Sequence, residues 1–257
     1  MEPKPPVPVS STGTEYRRTK SESQQLSLLF FISSFTPPFP LHSSLDCFFH
    51  SIANKSMFTL SKPSHDFVRE FLTSQAKLPF SYSAVGHSQH SPPSGYNVDH
   101  NRIHLGNGID TFERAKLAVR QWKMFAMPWI EFYWPDIPIE TGACVAVLVR
   151  HFALWSLNAC RIVYLVEEPL EKFGFAYGTL PDHAERGEER FIVEYNRAEQ
   201  SVWYDLYAYS RPKLLAEVAY PVARALQKKF ARDSLAAMKN VVQNQPSFMQ
   251  QKERTRD

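Results

Sequence analysis

The sequence predicts an α+β domain in which a curved antiparallel sheet wraps around a long C-terminal helix. Three observations lead there. One strand and one amphipathic helix occupy residues 98–125. Between 129 and 209 the chain is a series of β-branched and aromatic segments with no helix among them, so neighbouring strands pair as antiparallel hairpins. The last patterned segment, from Pro212 to about residue 242, has helical spacing throughout. Strands and helices that are segregated rather than alternating define α+β. With 257 residues and 44% hydrophobic content, the chain can bury one sizeable core.

Residues 1–56 are rich in Ser and Pro and poor in acid, and read as an extension, either disordered or targeting. Arg17, Arg18 and Lys20 are a thin basic content for a transit peptide. The apolar run "LSLLFFI" at 26–32 is far short of the roughly 20 residues that cross a bilayer. The domain proper is expected over 57–242, followed by a polar tail at 243–257 that frays. Residues 62–77 read as a short helix with Phe67, Phe71 and Leu72 on one side, and "HSQHSPPSGYN" as a loop. "NVDHNRIHLG" is a first strand ended by Gly106 and Gly108. Asp110 can then cap a helix, with Glu113 as its reciprocal partner. Phe112, Ala115, Val119 and Trp122 give that helix its inner stripe.

Strands are expected at 129–134, 142–151, 160–167, 172–178, 188–195 and 201–209. Pro212 suits the first turn of the closing helix. Leu215, Val218, Val222 and Leu226 would face inward, Arg224, Lys228 and Arg232 outward, with a kink or restart at Pro221.

A net charge of +3 is too small to argue for a nucleic-acid partner. Cys47, Cys144 and Cys160 are an odd number without close pairing. They read as reduced thiols, and so as an intracellular compartment: cytoplasm, or a plastid if the extension is a transit peptide. No cofactor motif is present. His87, His90, His100 and His104 match no metal-site spacing. "GNG" at 106–108 lacks the third glycine and parallel βαβ setting of a phosphate cradle and reads as a tight turn. No Ser or Cys sits in a nucleophile context.

The blocks "LGNGIDTFERAKLAVRQWKMF", "CRIVYLVEE", "FGFAYGTLPDHAERGEERF" and "SRPKLLAEVAYPVARALQKKFARDSLAAMK" resemble the UPF0548 family, over about Leu78 to Asn240. The order of elements is similar, more loosely, to the helix-grip (START-like) fold. The looser resemblance implies a ligand held between sheet and terminal helix, because helix-grip proteins commonly do this.

The chemistry is concentrated in "YGTLPDHAERGEERF", residues 177–191. Strand alternation puts Glu189 on one face with Phe191, Val193 and Tyr195, and Glu188 on the other with Arg190 and Glu194. The second face reads as solvated. Glu189 thus stands at the end of an apolar face, where a bare carboxylate costs several kcal/mol, order of magnitude. Its expected partner is Arg161, with Arg211 as the second choice and His183 completing the set.

Two readings stay open. Glu189 and His183 are acid and base, or polar anchors, in a pocket; or Glu189 and Arg161 form a buried structural ion pair. Trp203, Asp205, Tyr207 and Tyr209 share one face of the last strand, and Tyr177 with Phe173 and Phe175 extends an aromatic lining. Such a surface suits a small-molecule cavity or an ordinary aromatic core. The sequence therefore carries two functions: binding of a hydrophobic or amphipathic small molecule, with acid/base chemistry open, or an adaptor at anionic membranes. The adaptor would use Arg224, Lys228, Lys229, Arg232 and Lys239 on the closing helix.

Overall fold

Seven strands lie side by side in one antiparallel sheet, and the last of them returns to pair with the first long one. The computed structural model describes residues 58–151, 154–213 and 220–244, all within one compact unit spanning His50–Asp257. The expected extension at 1–56 and almost all of the tail at 243–257 lie outside the described residues. In chain order the elements are β1 (Phe58–Thr59), α1 (His65–Gln75), β2 (Asn97–Asn107), α2 (Ile109–Arg120), β3 (Ile130–Tyr133) and β4 (Cys144–His151). Then come β5 (Leu154–Glu168), β6 (Lys172–Thr179), β7 (Glu185–Asn196), β8 (Ser201–Pro212) and α3 (Tyr220–Asn244). Short 3-10 turns at His87–Gln89 and Lys123–Phe125 complete the set.

The sheet order is β2-β8-β7-β6-β5-β4-β3, and β1 pairs with β5. Every pairing is antiparallel, as expected for strands joined without intervening helices. The sheet curls over α3, which gives the helix-grip arrangement expected from the order of elements. Its inner face packs on α2, the 125 region and α3 through Phe112, Ala115, Val119, Trp122, Phe175, Phe191, Tyr204 and Met238, all buried. Its outer face is covered as well, by α1 through Val68 and Leu72 and by a tyrosine cluster of Tyr82, Tyr207 and Tyr209.

Several local expectations change. The inner side of α1 is Val68, Leu72 and Gln75, whereas Phe67 is exposed. A helix face is set by where the sheet lies, and Val68 fits that stripe better than Phe67. At α2 the cap position is Gly108, at φ 83°, and Asp110 falls inside the first turn, where it pairs with Arg114 at 3.1 Å. Glycine takes that left-handed backbone without a Cβ penalty.

Pro212 ends β8 instead of opening the helix. Pro221 is the second described residue of α3, and the kink or restart expected there borders residues 214–219, which lie outside the described residues. Leu215 and Val218 lie outside the described residues. The buried stripe of α3 falls later than expected, at Ala231, Ser234, Met238 and Val242. Arg224, expected to face outward, pairs with Asp99 of β2 through two contacts of 2.5 and 2.8 Å.

Close strand packing is written into "FGFAYG". A Cβ on Gly174 would fall on the Phe191 carbonyl oxygen and on Ile192 Cα, both backbone atoms of the neighbouring strand. Backbone paired on both sides cannot give way. Gly174→Ala is therefore expected to lose about 3 kcal/mol of unfolding free energy, read by urea denaturation. A loss below about 1 kcal/mol would show that β6 and β7 can separate.

Candidate functional site

The charged stretch divides between the two faces of β7, and each half does something different. On the outer face, Glu188 is 2% exposed. The face expected to be solvated is therefore covered. Glu188 accepts hydrogen bonds from Tyr82 Oη (2.7 Å), the Gly86 amide (2.7 Å), the Ser88 amide (3.0 Å), Ser88 Oγ and Tyr209 Oη (3.4 Å). Residues 80–96 fold down over β6 to β8 and bring these donors with them, apart from Tyr209, which stands on β8 directly across from Glu188. Gly178, directly opposite Glu188, leaves room for the Tyr82 ring. Arg190 donates to the Ser88 carbonyl (2.7 Å) and to Asp205 (3.1 Å), and Asp205 also meets His100 at 2.6 Å. Thr179 bonds Ser81 (2.6 Å) and receives the Gly187 amide (3.0 Å), while Gln75 donates to Asp182 at 2.7 Å. Four polar side chains in "GTLPDHAERGEERF", namely Thr179, Asp182, Glu188 and Arg190, thus fasten the preceding segment to the sheet.

Glu189 faces inward, as its alternation requires. It lies directly across from Tyr177, whose hydroxyl donates to it at 2.8 Å. Around the pair stand Phe125, Phe175 and Phe191, with ring centroids 5.2–6.3 Å from that of Tyr177. Glu189 retains accessible surface, yet burial dominates its titration and pushes its pKa up to about 8 from an ordinary 4.5. The Tyr177 hydrogen bond opposes that rise, and the charges of Glu185 and Asp99 add to it. A group titrating there is mostly protonated at pH 7, so it can donate a hydrogen bond as well as accept one.

A polar seam joins this end of the sheet to the start of α3. Burial raises the Glu185 pKa, against hydrogen bonds from Gln227 and Ser210. Gln227 donates to Ser210 at 2.9 Å, and Arg224 clamps Asp99. Glu185 and Asp99 were not among the expected site residues, and Arg224 was expected only on the outward basic stripe of the closing helix. Nothing local marks them, since Asp99 and Arg224 are 125 positions apart.

The expected partners of Glu189 are placed elsewhere. A bulge between Ile162 and Tyr164 interrupts the alternation of β5. Leu165 therefore faces inward opposite Phe175, but Arg161 points outward. There it donates to the carbonyls of Ala76 (2.8 Å) and Leu78 (2.7 Å) at the end of α1 and stacks on Phe80. A cation at a helix C-terminus is a favourable cap. Arg211 is exposed on the outer face over Tyr96. Trp203, Asp205 and Tyr207 share that face, so they do not form one lining with Tyr177.

His183 makes no hydrogen bond to Glu189. Its Nδ1 accepts from the Glu185 amide at 3.0 Å. Burial, with Lys213 nearby, lowers its pKa to about 3, which leaves it neutral and a weak base at pH 7. Of the expected set, the structure brings together Glu189 and Tyr177.

A groove of about 420 Å³ opens between β2 and α3, and Glu189 is not among its lining residues. Of the basic residues on α3, Arg224 is held by Asp99, and Lys229 by Asp233 and the face of Trp129. Among the described residues no group of three or more His, Cys, Asp or Glu side chains could hold a metal ion. None of their helices is long and apolar enough to cross a membrane.

Residues 81–237 match a family described as "Domain of unknown function (DUF1990)". A UPF0548 protein of Dictyostelium discoideum is 36% identical over 207 residues, covering 72% of this chain and 96% of that one. A UPF0548 protein of Deinococcus radiodurans is 37% identical over 189 residues, covering 68% and 94%. Among solved structures, the hypothetical protein jhp0584 from Helicobacter pylori superposes with a TM-score of 0.44 at 11% identity, covering 63% of this chain and 98% of that one. The fold assignment rests on the chain's own strand order and helix placement, and the sequence matches, over most of its length, establish that the chain belongs to the UPF0548 family and carries the DUF1990 domain.

Proposed function

We propose that the protein binds a hydrophobic or amphipathic small molecule between the sheet and its terminal helix, with Glu189 as the polar anchor. The observation that carries this reading is the carboxyl of Glu189. It stands on an aromatic face, keeps accessible surface, and among the described residues has Tyr177 as its sole hydrogen-bond partner. Small-molecule sites are built this way, from mostly apolar walls and a few placed polar groups. A largely protonated Glu189 suits a ligand carbonyl or hydroxyl in that setting, and it can exchange a proton near neutral pH. The membrane-adaptor reading has less to stand on, because Arg224 and Lys229 are already engaged by the protein itself.

The test is native mass spectrometry of the full chain together with titration of Nile red, an uncharged, mostly apolar dye whose ring carbonyl can accept a hydrogen bond. The wild type is expected to retain a small molecule or to bind the dye. Glu189→Leu should weaken dye binding about tenfold, since one hydrogen bond is worth about 0.5–1.5 kcal/mol. Glu189→Gln at pH 6 should stay within about threefold, because it keeps a neutral donor and acceptor. No retained mass and no dye binding would end the proposal.

A further inference from the structure

The groove between β2 and α3 has a chemistry of its own. Its floor is apolar, made by Ile103 of β2 and by Ala231 and Leu235 of α3, which pack on the inner core. Its rim is cationic. Lys228, Arg232 and Lys239 line it from one helix, and Lys228 and Lys239 have no ionic or hydrogen-bond partner among the described residues. Arg232 reaches Asp233 at 3.2 Å and is otherwise largely exposed. The one carboxylate in the lining, Asp99, is occupied by Arg224. A volume of about 420 Å³ falls within the roughly 300–1,000 Å³ range of small-molecule sites.

From this arrangement we infer that the groove is a binding site for a single-chain amphipathic anion: a carboxylate or phosphate head held by Lys228 and Lys239, with an apolar tail laid along Ile103 and Leu235. The charges are complementary, and no described residue neutralises either lysine. Lysine suits the head because its ammonium is a compact charge on a flexible stem that can follow either kind of anion. The inference stands whether or not Glu189 anchors a ligand. The same head chemistry could be presented by a free amphipath or by the surface of an anionic bilayer, and the structure favours the free form because the tail-binding floor lies inside the groove.

The experiment uses the full chain and three probes, followed by isothermal titration or NMR shifts of the α3 amides. The probes are decanoate below its micelle concentration, decan-1-ol, and equimolar phosphatidylcholine–phosphatidylserine vesicles. Decanoate is expected to bind more tightly than decan-1-ol. Lys228→Glu/Lys239→Glu should weaken decanoate about tenfold while leaving decan-1-ol within about twofold, as charge reversal at a rim acts on the charged partner only. Lys228→Gln/Lys239→Gln gives a second variant should reversal disturb the helix. Lys228→Glu/Lys239→Glu should leave Nile red binding within about twofold, which separates this site from the inner one. Three results would overturn the inference: no binding of monomeric decanoate, equal loss for acid and alcohol, or binding to vesicles alone.

Discussion

Glu188→Leu is expected to lose about 3–5 kcal/mol of unfolding free energy, because it removes an acceptor on which five donors converge. The hydroxyls of Tyr82, Tyr209 and Ser88 and the amides of Gly86 and Ser88 all point at this one carboxyl group. Without it the Tyr82 hydroxyl and the Gly86 and Ser88 amides lose their acceptor in a place with little water, whereas the Tyr209 hydroxyl keeps the Ala84 carbonyl; a buried donor without a partner costs its full desolvation. The covering segment at 80–96 would loosen, and Tyr82 of the outer tyrosine cluster would lose its hydroxyl's acceptor. For a domain of this size the melting temperature should fall by roughly 10 °C. Glu188→Gln keeps one acceptor oxygen but brings two N–H donors into a nest of donors, so an intermediate loss of about 1–3 kcal/mol is expected. Thermal and urea unfolding check both variants. A Glu188→Leu chain with wild-type stability would mean that residues 80–96 are not held by this carboxyl.

The second large effect is on pH dependence, and Glu189 sets its sign. Its folded pKa of about 8 stands above the ordinary 4.5. Between those values the folded protein holds a proton that the unfolded chain has released. Stability therefore falls as pH rises from about 4.5 to about 8, the reverse of the common salt-bridged carboxylate. His183 acts in the opposite direction over a lower range. Its folded value of about 3 lies below 6.5, so stability rises with pH between those two values. The Glu189 slope is free of His183 above pH 6.5.

Glu189→Gln lacks that slope while keeping the shape and the Tyr177 contact. The two proteins should be similar in stability below about pH 4.5, where Glu189 is protonated folded and unfolded alike, and the variant should be ahead by about 2 kcal/mol at pH 6. Between pH 6 and pH 8.5 its lead should widen by about 2 kcal/mol more, following about 1.4 kcal/mol per pH unit over the remaining titration. Urea midpoints of the pair across pH 5.5–9 read this directly. Parallel curves would show that Glu189 titrates as an ordinary surface carboxyl, and the anchor proposed for the ligand would fall with it.

Much of the architecture was legible in the sequence because it follows from local periodicity. The strand alternation of "EERFIVEY" correctly separates Glu189 from Glu188. The spacing of Phe112, Ala115, Val119 and Trp122 correctly marks the buried stripe of α2. Antiparallel pairing of neighbouring strands came from the absence of helices between segments, whereas the return of β8 to β2 did not. The site was less legible. Arg161 looks like a companion of Leu165 until a bulge at residue 163 reverses the count. One extra residue in a strand turns every earlier side chain to the other face.

What the sequence alone determined is which side chains share a face within each strand or helix, since a repeat of 2 or 3.6 residues is a property of the chain itself. What only the tertiary structure decided is which faces are covered and which charges meet. Glu188 became a buried hub because a segment 100 residues earlier closes over it, and Arg224 became a clamp because α3 lies along β2. Burial and ion pairing depend on distances in space, and no local period encodes the return of a distant segment.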